Sequence, residues 1–293
     1  MKHAICLLAY KDYNYITSFI DQFNNHPDIL FYIHWHNHSD EECEKLKKYS
    51  DKIVYINNLY RTYRFSINLV RAELNLYFMA SQNEDIKYFH LMSESDYLIC
   101  DVNYFIDYFN KYEDNDFLIY INDNDYNCNL FYDYNDNIYK ASQWKTLSKN
   151  TINYIIEHIQ DLFFLIKRIN YNTVLGGAFD EFIIPTFLKN TLYKDNDKLI
   201  NDSKRYIRWS HSIYYNNQYI DDNSHPSILT TDLYNEKYYK VFRYNHYVDV
   251  YDPINESVIL NNLIIRKIDI FNEKSKDFLN NIKEKFKENI KKI

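Results

Sequence analysis

The stretch YFHLMSESD, residues 88–96, determines the predicted fold class. Its first five residues, Tyr88 to Met92, are mostly apolar and fit a strand that is buried on both faces. Two carboxylates, Glu94 and Asp96, follow this strand directly. Because α/β proteins bind ligands at the carboxyl ends of such strands, the stretch predicts a parallel sheet with polar groups at its edge.

Strand and helix patterns alternate on the N-terminal side of this stretch. The predicted strands are 4–10, 29–35 and 52–56, and the predicted helices are 13–23, 40–48 and 66–81. Such alternation is typical of an α/β protein with a parallel sheet. The sequence therefore predicts a Rossmann-like nucleotide half over residues 1–100.

The patterning is less regular after residue 100. The further predicted elements are a strand at 117–121, a hairpin at 133–136, helices at 148–168 and 180–190, short strands from Tyr206 onward, and helices within 253–293. No Pro- or Ser-rich linker separates them. We therefore expect one merged body over residues 1–252, with a second half at 101–252, and a helical extension at 253–293.

Composition excludes several classes of protein. The only two glycines are adjacent, Gly176 and Gly177, so neither a dinucleotide-binding glycine loop nor a P-loop can form. The 41 Asp and Glu residues exceed the 34 Lys and Arg residues, which argues against a nucleic-acid partner. The N-terminal apolar run is too short for a signal peptide or a membrane span, which predicts a cytoplasmic protein.

The first candidate for chemistry is the stretch GGAFDEFIIP, residues 176–185. Asp180 is expected to cap the helix that follows, and Glu181 to lie in its first turn beside apolar residues. An apolar setting raises the affinity of a carboxylate for protons, so Glu181 is a candidate general base for a sugar hydroxyl. The alternative is that both acids only complement the helix dipole.

Two later segments place cations among aromatic residues. They are KRYIRWS, residues 204–210, and KVFRY, residues 240–244. A guanidinium in such a setting can clamp a diphosphate through two hydrogen bonds. Strand alternation puts Arg205 and Arg208 on opposite faces, so they cannot easily share a ligand. The alternative is ion pairing with acidic residues at the surface.

Two groups of residues have metal-ligating side chains. Glu94 and Asp96 are a candidate site for a divalent cation. The alternation of His34, His36 and His38 at a strand end predicts that they share one face, either as metal ligands or as solvated or hydrogen-bonded imidazoles.

Taken in order, these segments resemble the core-2/I-branching β-1,6-N-acetylglucosaminyltransferases and the related peptide O-xylosyltransferases, which form glycosyltransferase family 14. The resemblance runs from about Ala4 to Tyr251. The segments that carry it, besides residues 88–96, are 4–10, 31–34, 65–76, 142–144, 179–182, 205–210 and 225–230. Their order and spacing together are specific, although no single segment is diagnostic.

The resemblance implies a fold and an activity. The fold is GT-A, an α/β fold in which a Rossmann-like nucleotide half is merged with an acceptor-binding half. Residues 1–252 would be the catalytic domain. The activity is inverting, β-linkage-forming transfer of a sugar, N-acetylglucosamine or xylose, from a UDP-sugar to a glycan hydroxyl, with no metal and no other cofactor.

The family's motifs assign roles to residues that match them. Its Pro-Asp-Glu motif supplies the base; here Phe179 replaces the proline, and the match of Asp180 and Glu181 makes Glu181 the predicted base. Arg205, together with Arg243 or alternatively Lys240, is predicted to hold the diphosphate. Fixed cations would stabilise the leaving diphosphate in place of a metal.

Five further residues are predicted ligand contacts by the same resemblance. Ala9 and His36 are predicted to contact the nucleotide, and Asp96, Trp144 and Asp180 the substrates. His36 stands where relatives usually have an aspartate that contacts the nucleotide base.

The resemblance also implies partners and a location. The sequence lacks the luminal anchor and disulfides of animal relatives, which predicts a bacterial, cytoplasmic enzyme of surface-polysaccharide synthesis. Its acceptor would be a glycan or a lipid-linked saccharide. The alternative of a different class is a non-catalytic protein that binds carbohydrate or nucleotide-sugar on the same scaffold.

The C-terminal segment has the pattern of an amphipathic basic helix. Its apolar residues recur at helical spacing, and its lysines lie mainly on the other faces. One interpretation is that the apolar stripe packs on the catalytic domain. The other is a peripheral contact of residues 270–293 with the inner face of the plasma membrane.

Overall fold

The computed structural model describes residues 1–63, 66–121, 131–133, 136–169, 178–194, 198–207, 214–215, 218–219, 229, 238–243, 246–251 and 256–291. Only the backbone is described for Ile121, for Glu256 and for the described residues from 214 to 251 other than Leu229. Gly176, Gly177, Arg208 and the centre of the predicted hairpin at 134–135 lie outside these residues.

The chain forms two compact units. The first unit comprises Met1–Thr17, Phe23–Glu94 and Ile106–Ser203. The second unit comprises Ser18–Gln22, Ser95–Phe105 and Lys204–Ile293. Each unit is therefore assembled from segments that are distant in sequence.

The described residues form short and long strands and helices. The strands are β1 (Lys2–Ala9), β2 (Ile29–Trp35), β3 (Ile53–Asn57), β4 (Ile86–Met92), β5 (Tyr97–Leu98), β6 (Asp116–Phe117), β7 (Tyr120–Ile121), β8 (Lys140–Ala141), β9 (Thr146–Ser148), β10 (Leu199–Ile200), β11 (Arg205–Ile207), β12 (Tyr214–Tyr215), β13 (Gln218–Tyr219), β14 (Tyr238–Arg243), β15 (His246–Tyr251) and β16 (Ile264–Arg266). The helices are α1 (Tyr13–Asp21), α2 (Asp40–Lys47), α3 (Ile67–Ser81), α4 (Val102–Asn110), α5 (Lys149–Glu157), α6 (Ile159–Lys167), α7 (Phe179–Asn190), α8 (Glu256–Leu260) and α9 (Glu273–Ile290).

A seven-stranded sheet forms the centre of the first unit. Its strand order is β10-β6-β9-β4-β1-β2-β3. Strand β1 pairs in parallel with both β2 and β4, and β9 runs antiparallel to β4 and β6. The sheet is therefore mixed, with a parallel core. The predicted α/β class is confirmed, and this architecture agrees with the GT-A-like fold that the resemblance implies.

Burial explains why the parallel strands were predictable. All residues of β1 from His3 to Ala9 are buried, as are the last five residues of β4. Because helices cover both faces of such a sheet, its strands need continuous apolar runs rather than alternation. The carboxyl ends of β1, β2 and β4 lie at one edge of the sheet, which places the residues after them together.

A chain of polar side chains crosses the core of the first unit. With Nε2 protonated on both imidazoles, His3 donates to Oδ1 of Asn110 (3.1 Å) and His90 donates to Nδ1 of His3 (3.0 Å). The hydroxyl of Thr146 then donates to Nδ1 of His90 (2.9 Å). Burial lowers the pKa of His3 to about 4, so the His3 ring is neutral in the folded protein near neutral pH.

Three predicted elements differ from the structure. The helix predicted at 148–168 is two helices, α5 and α6, separated at His158. The strand predicted at 117–121 is divided between β6 in the main sheet and β7 in a small antiparallel sheet. Within the helical extension predicted at 253–293, residues Ile264–Arg266 form strand β16.

The second unit contains a three-stranded sheet and the C-terminal helix. The sheet has the order β11-β16-β5. The apolar stripe of α9 is buried: Phe278, Ile282 and Phe286 are at most 4% exposed, and Phe286 contacts the ring of Tyr104. The stripe that a membrane contact would use is therefore covered by protein. Among the helices of the described residues, none is both long enough and apolar enough to span a membrane.

Candidate active site

Two predicted nucleotide contacts meet at the carboxyl edge of the main sheet. The amide of His36 donates a hydrogen bond to the carbonyl of Ala9 (2.8 Å), which joins the ends of β1 and β2. Nδ1 of His36 accepts from the amide of Thr62 (3.1 Å). Partial burial, and secondarily the charge of His38, lower the pKa of His36. The lowered pKa and the accepted hydrogen bond favour a neutral imidazole at His36.

The three histidines have different hydrogen-bond partners. Strand β2 ends at Trp35, so His36 and His38 lie beyond it, and the predicted common strand face does not exist. His34 donates to the carbonyl of Tyr60 (3.0 Å), and His38 donates to the carbonyl of His36 (2.7 Å). Over the described ranges, no three His, Cys, Asp or Glu side chains are grouped as metal ligands.

Glu94 holds the loop that follows β1. Its side chain is fully buried, and Oε1 accepts hydrogen bonds from the amides of Lys11 (3.1 Å) and Tyr10 (3.4 Å). A carboxylate that binds two backbone amides fixes the loop next to Ala9. These two hydrogen bonds give Glu94 a structural role at the carboxyl edge of the main sheet.

Asp96 lies in the second unit among arginines. Nη1 of Arg266 donates to Oδ1 of Asp96 (3.0 Å), and Nε of Arg205 lies 3.8 Å from Oδ2. The side chains of Asp96 and Arg205 have no exposed surface. Sequence reasoning missed Arg266, because it lies beyond the resemblance and within a segment predicted to be helical.

The other predicted diphosphate contacts lie on β14. Lys240 is opposite Asp249 of β15, and Arg243 is opposite His246. The side chains of Lys240 and Arg243 are outside the described part of the structure, so their roles remain predictions.

The first turn of α7 contains the two predicted acids. The helix begins at Phe179, and its cap position is Ala178, so Asp180 lies in the first turn and the predicted capping role is wrong. Asp180 is 6% exposed. Burial, and secondarily the charge of Glu181, raise the pKa of Asp180 to about 7. The apolar setting expected for Glu181 is therefore found at Asp180.

Glu181 is partly open to solvent. Its side chain is 22% exposed, and Oε2 lies 3.3 Å from Nζ of Lys140 on β8. Two hydrogen bonds between Thr186 and the backbone of Tyr139 (3.0 and 3.2 Å) tie α7 to the segment before β8. The carboxylate thus has a fixed cationic partner and an exposed side, which suits a group that exchanges protons with a ligand.

A buried ion pair lies near these acids and was not predicted. Nζ of Lys145 is 2.8 Å from Oε1 of Glu73, and neither side chain is exposed. Burial raises the pKa of Glu73, and the Lys145 ammonium opposes that increase. The charges of Lys145 and Glu73 also act on Asp180, with opposite signs. Four charged groups of the first unit, including Glu181, are therefore electrostatically coupled.

Trp144 directly precedes the lysine of this ion pair. It is 8% exposed, and its amide donates to the hydroxyl of Ser142 (3.3 Å). Nζ of Lys145 also donates to the carbonyl of Gln143 (2.9 Å), which fixes the backbone directly before Trp144. The predicted substrate contact therefore lies on a rigid segment.

A comparison with protein families agrees with the resemblance. A model of the family described as "Core-2/I-Branching enzyme" matches residues 4–243. A comparison with curated proteins gives no match. Two solved structures of the glycosyltransferase GlyE from Streptococcus pneumoniae TIGR4 are similar. The apo form has 14% identity and a TM-score of 0.36, covering 70% of this chain and 46% of that chain. The second has 15% identity and a TM-score of 0.37, covering 68% and 45%.

This chain thus spans less than half the length of the GlyE chains. The family match, in contrast, extends over most of this chain, and it includes both the β4 edge and α7. The protein therefore belongs to the Core-2/I-branching enzyme family, whose members are glycosyltransferases.

Proposed function

We propose that this protein is an inverting glycosyltransferase that transfers a sugar from a UDP-sugar to a hydroxyl of a glycan acceptor. The observation that carries the proposal is the state of Glu181: a partly exposed carboxylate, fixed by Lys140 at 3.3 Å, at the family's base position. The neighbouring Asp180 is too buried to serve as an accessible base. Of the two acids in the motif, Glu181 is the more accessible to an acceptor, and it is the proposed base.

The chemistry follows from this assignment. Glu181 removes the proton of the acceptor hydroxyl as its oxygen attacks the anomeric carbon of the donor from the face opposite the nucleotide. The bond from that carbon to the diphosphate breaks, and UDP leaves with the electron pair. The anomeric configuration is inverted, which gives a β-linkage from an α-linked donor.

Cationic side chains balance the charge of the departing UDP in this proposal. Arg205 is the first, with Arg243 or Lys240 of β14 as the second. Nε of Arg205 lies 3.8 Å from Oδ2 of Asp96, and the diphosphate would bind to the guanidinium of Arg205. Because Arg205 is buried, donor binding requires access to this side chain, and Arg205→Ala tests the role directly.

Metal-independent transfer is part of the proposal. The competing mechanism assigns Mn²⁺ or Mg²⁺ to Glu94 and Asp96. Glu94 binds two backbone amides, and Asp96 binds Arg266. These interactions engage Oε1 of Glu94 and Oδ1 of Asp96 and give Asp96 a cationic neighbour, so they favour charge stabilisation by arginine.

The proposed sugar, acceptor and location follow from the resemblance. N-acetylglucosamine and xylose are the first sugars to test, since the two branches of the resemblance transfer them. A bacterial surface glycan or a lipid-linked saccharide is the proposed acceptor, and the cytoplasm the proposed location. The burial of the α9 stripe gives no support to a membrane contact through this helix.

UDP release from a panel of UDP-sugars tests this function. The purified protein is incubated with each donor, with and without glycan acceptors, and with EDTA or added Mn²⁺. We expect turnover of at least one donor that EDTA does not abolish. Donor binding without turnover of any donor would favour the non-catalytic binding protein. Loss of turnover in EDTA that Mn²⁺ or Mg²⁺ restores would refute the metal-independent mechanism.

A further inference from the structure

An arginine outside the family-matched region holds the aspartate that faces Arg205. Nη1 of Arg266 donates to Oδ1 of Asp96 across 3.0 Å, the length of a charge-assisted hydrogen bond. Nε of Arg205 lies 3.8 Å from Oδ2, which is an ion pair without a short hydrogen bond. Asp96 is therefore held more closely by Arg266 than by Arg205.

Arg205 and Arg266 lie on one small sheet, and Asp96 directly precedes its third strand, β5. In the β11-β16-β5 sheet, Arg205 is opposite Ile264, and Ile207 is opposite Arg266. The amide of Ile268 donates to the carbonyl of Ser95 (3.0 Å), next to Asp96. The three charged side chains consequently start from positions set by sheet hydrogen bonds.

Gln22 fixes Asp96 from a second direction. Its Nε2 donates to the carbonyl of Asp96 (3.1 Å), and its Oε1 accepts from the amide of Leu98 (2.7 Å). The backbone of Asp96 thus cannot move freely toward either arginine. A change in charge at Arg266 would act mainly through the carboxylate and the guanidinium of Arg205.

We infer that Arg266 is a positioning residue of the donor site, which binds one oxygen of Asp96 and so keeps Arg205 oriented for the diphosphate. In a buried setting, a carboxylate attracts guanidinium groups strongly. When Arg266 is replaced, it no longer competes with Arg205 for Asp96. Asp96 then draws Arg205 into a closer ion pair. The guanidinium of Arg205 then turns toward Asp96 and is less well oriented for a diphosphate. This inference rests on the proposed binding of diphosphate by Arg205.

Calorimetric titration of variants with UDP and with uridine tests this role. Arg266→Met removes the charge but keeps much of the side-chain length, and Arg266→Lys keeps the charge. We expect Arg266→Met to weaken UDP binding roughly tenfold, the scale of one lost charge-assisted hydrogen bond, with uridine binding unchanged. Arg266→Lys should recover part of the loss. Equal weakening of UDP and uridine, or unchanged UDP binding, would overturn the inference.

A double-mutant cycle keeps the test valid if Arg266→Met folds poorly. In the Asp96→Asn background a neutral amide replaces the buried carboxylate. Because Arg266 acts through Asp96, Arg266→Met should then change UDP affinity less than about twofold. A tenfold loss in that background would contradict the inference.

The same titrations separate the inference from the proposed function. If Arg205→Ala weakens UDP binding and Arg266→Met does not, only the inference fails. If wild-type protein binds UDP and Arg205→Ala has no effect, the diphosphate role of Arg205 fails, and the inference fails with it. Absence of UDP binding by wild-type protein would refute both.

Discussion

Asp180 should make the stability of this protein depend on pH in a direction opposite to that of an ordinary surface acid. Its pKa is raised from 3.8 to about 7, first by burial and then by the charge of Glu181. Between these values the folded state binds a proton that the unfolded state releases. Stability from this group is therefore greatest at low pH and is lost as the pH rises toward 7.

Asp180→Asn removes this dependence while keeping the shape of the side chain. The shift of the pKa from 3.8 to about 7 corresponds to about 2.5 kcal/mol in the free energy of unfolding between pH 5 and pH 8. The wild-type protein loses this stability over that range and the variant does not. Urea unfolding of both proteins at the two pH values gives this difference, since most other titrating groups cancel.

The exposed Asp161, in the first turn of α6, supplies the matched control. Asp161→Asn should change the free energy of unfolding by nearly the same small amount at both pH values. If the effect of Asp180→Asn also stays constant between pH 5 and pH 8, Asp180 does not hold a proton near neutral pH, and the described coupling of the acids on α7 is wrong.

Three further predictions concern the interior. Lys145→Met should destabilise the fold by about 3–5 kcal/mol because it leaves Glu73 buried without its cation, and the addition of Glu73→Leu should recover most of that loss in urea unfolding. An effect below about 1 kcal/mol would contradict the buried pair. Phe278→Ala on α9 should cost about 3–5 kcal/mol, whereas Phe271→Ala, at a position 53% exposed, should cost far less; similar small effects would mean that the stripe is not core. His3→Gln should destabilise the fold by about 2 kcal/mol less at pH 5 than at pH 7. Folded His3 stays neutral down to its pKa of about 4, whereas unfolded His3 takes up a proton below pH 6.5, so the wild-type protein loses stability over this range. A pH-independent effect would refute this.

The long elements of the fold were predictable because their sequence patterns are local. Strands β1, β2 and β4 are continuous apolar runs, and buried parallel strands need such runs. Strand β16 has only three residues, and its pairing with β11 and β5 depends on segments far away in sequence. A three-residue strand between helices leaves no periodicity to detect, so it was assigned to the helical extension.

The candidate site was predictable only where a motif carries it. The assignment of Glu181 comes from the resemblance to the family's motif and stays a prediction, and the structure adds that this side chain is partly exposed. The partners of the other charged residues could not be predicted from spacing. Arg266 and Asp96 are separated by 170 positions, and Lys145 and Glu73 belong to different elements. Ion pairs of this kind are set by tertiary packing, and no local pattern encodes them.

The turnover of Glu181→Gln tests the central claim most directly. The glutamine keeps the size of the side chain and one acceptor oxygen but cannot remove a proton. With the donor found in the panel, initial rates of UDP release and calorimetric affinity for UDP are measured for wild type, for Glu181→Gln and for Glu157→Gln, an exposed control on α5. We predict that Glu181→Gln lowers kcat by about 10²-fold or more, with UDP affinity near that of wild type, and that Glu157→Gln changes neither. Near-normal turnover of Glu181→Gln would remove Glu181 as the base and contradict the proposed mechanism.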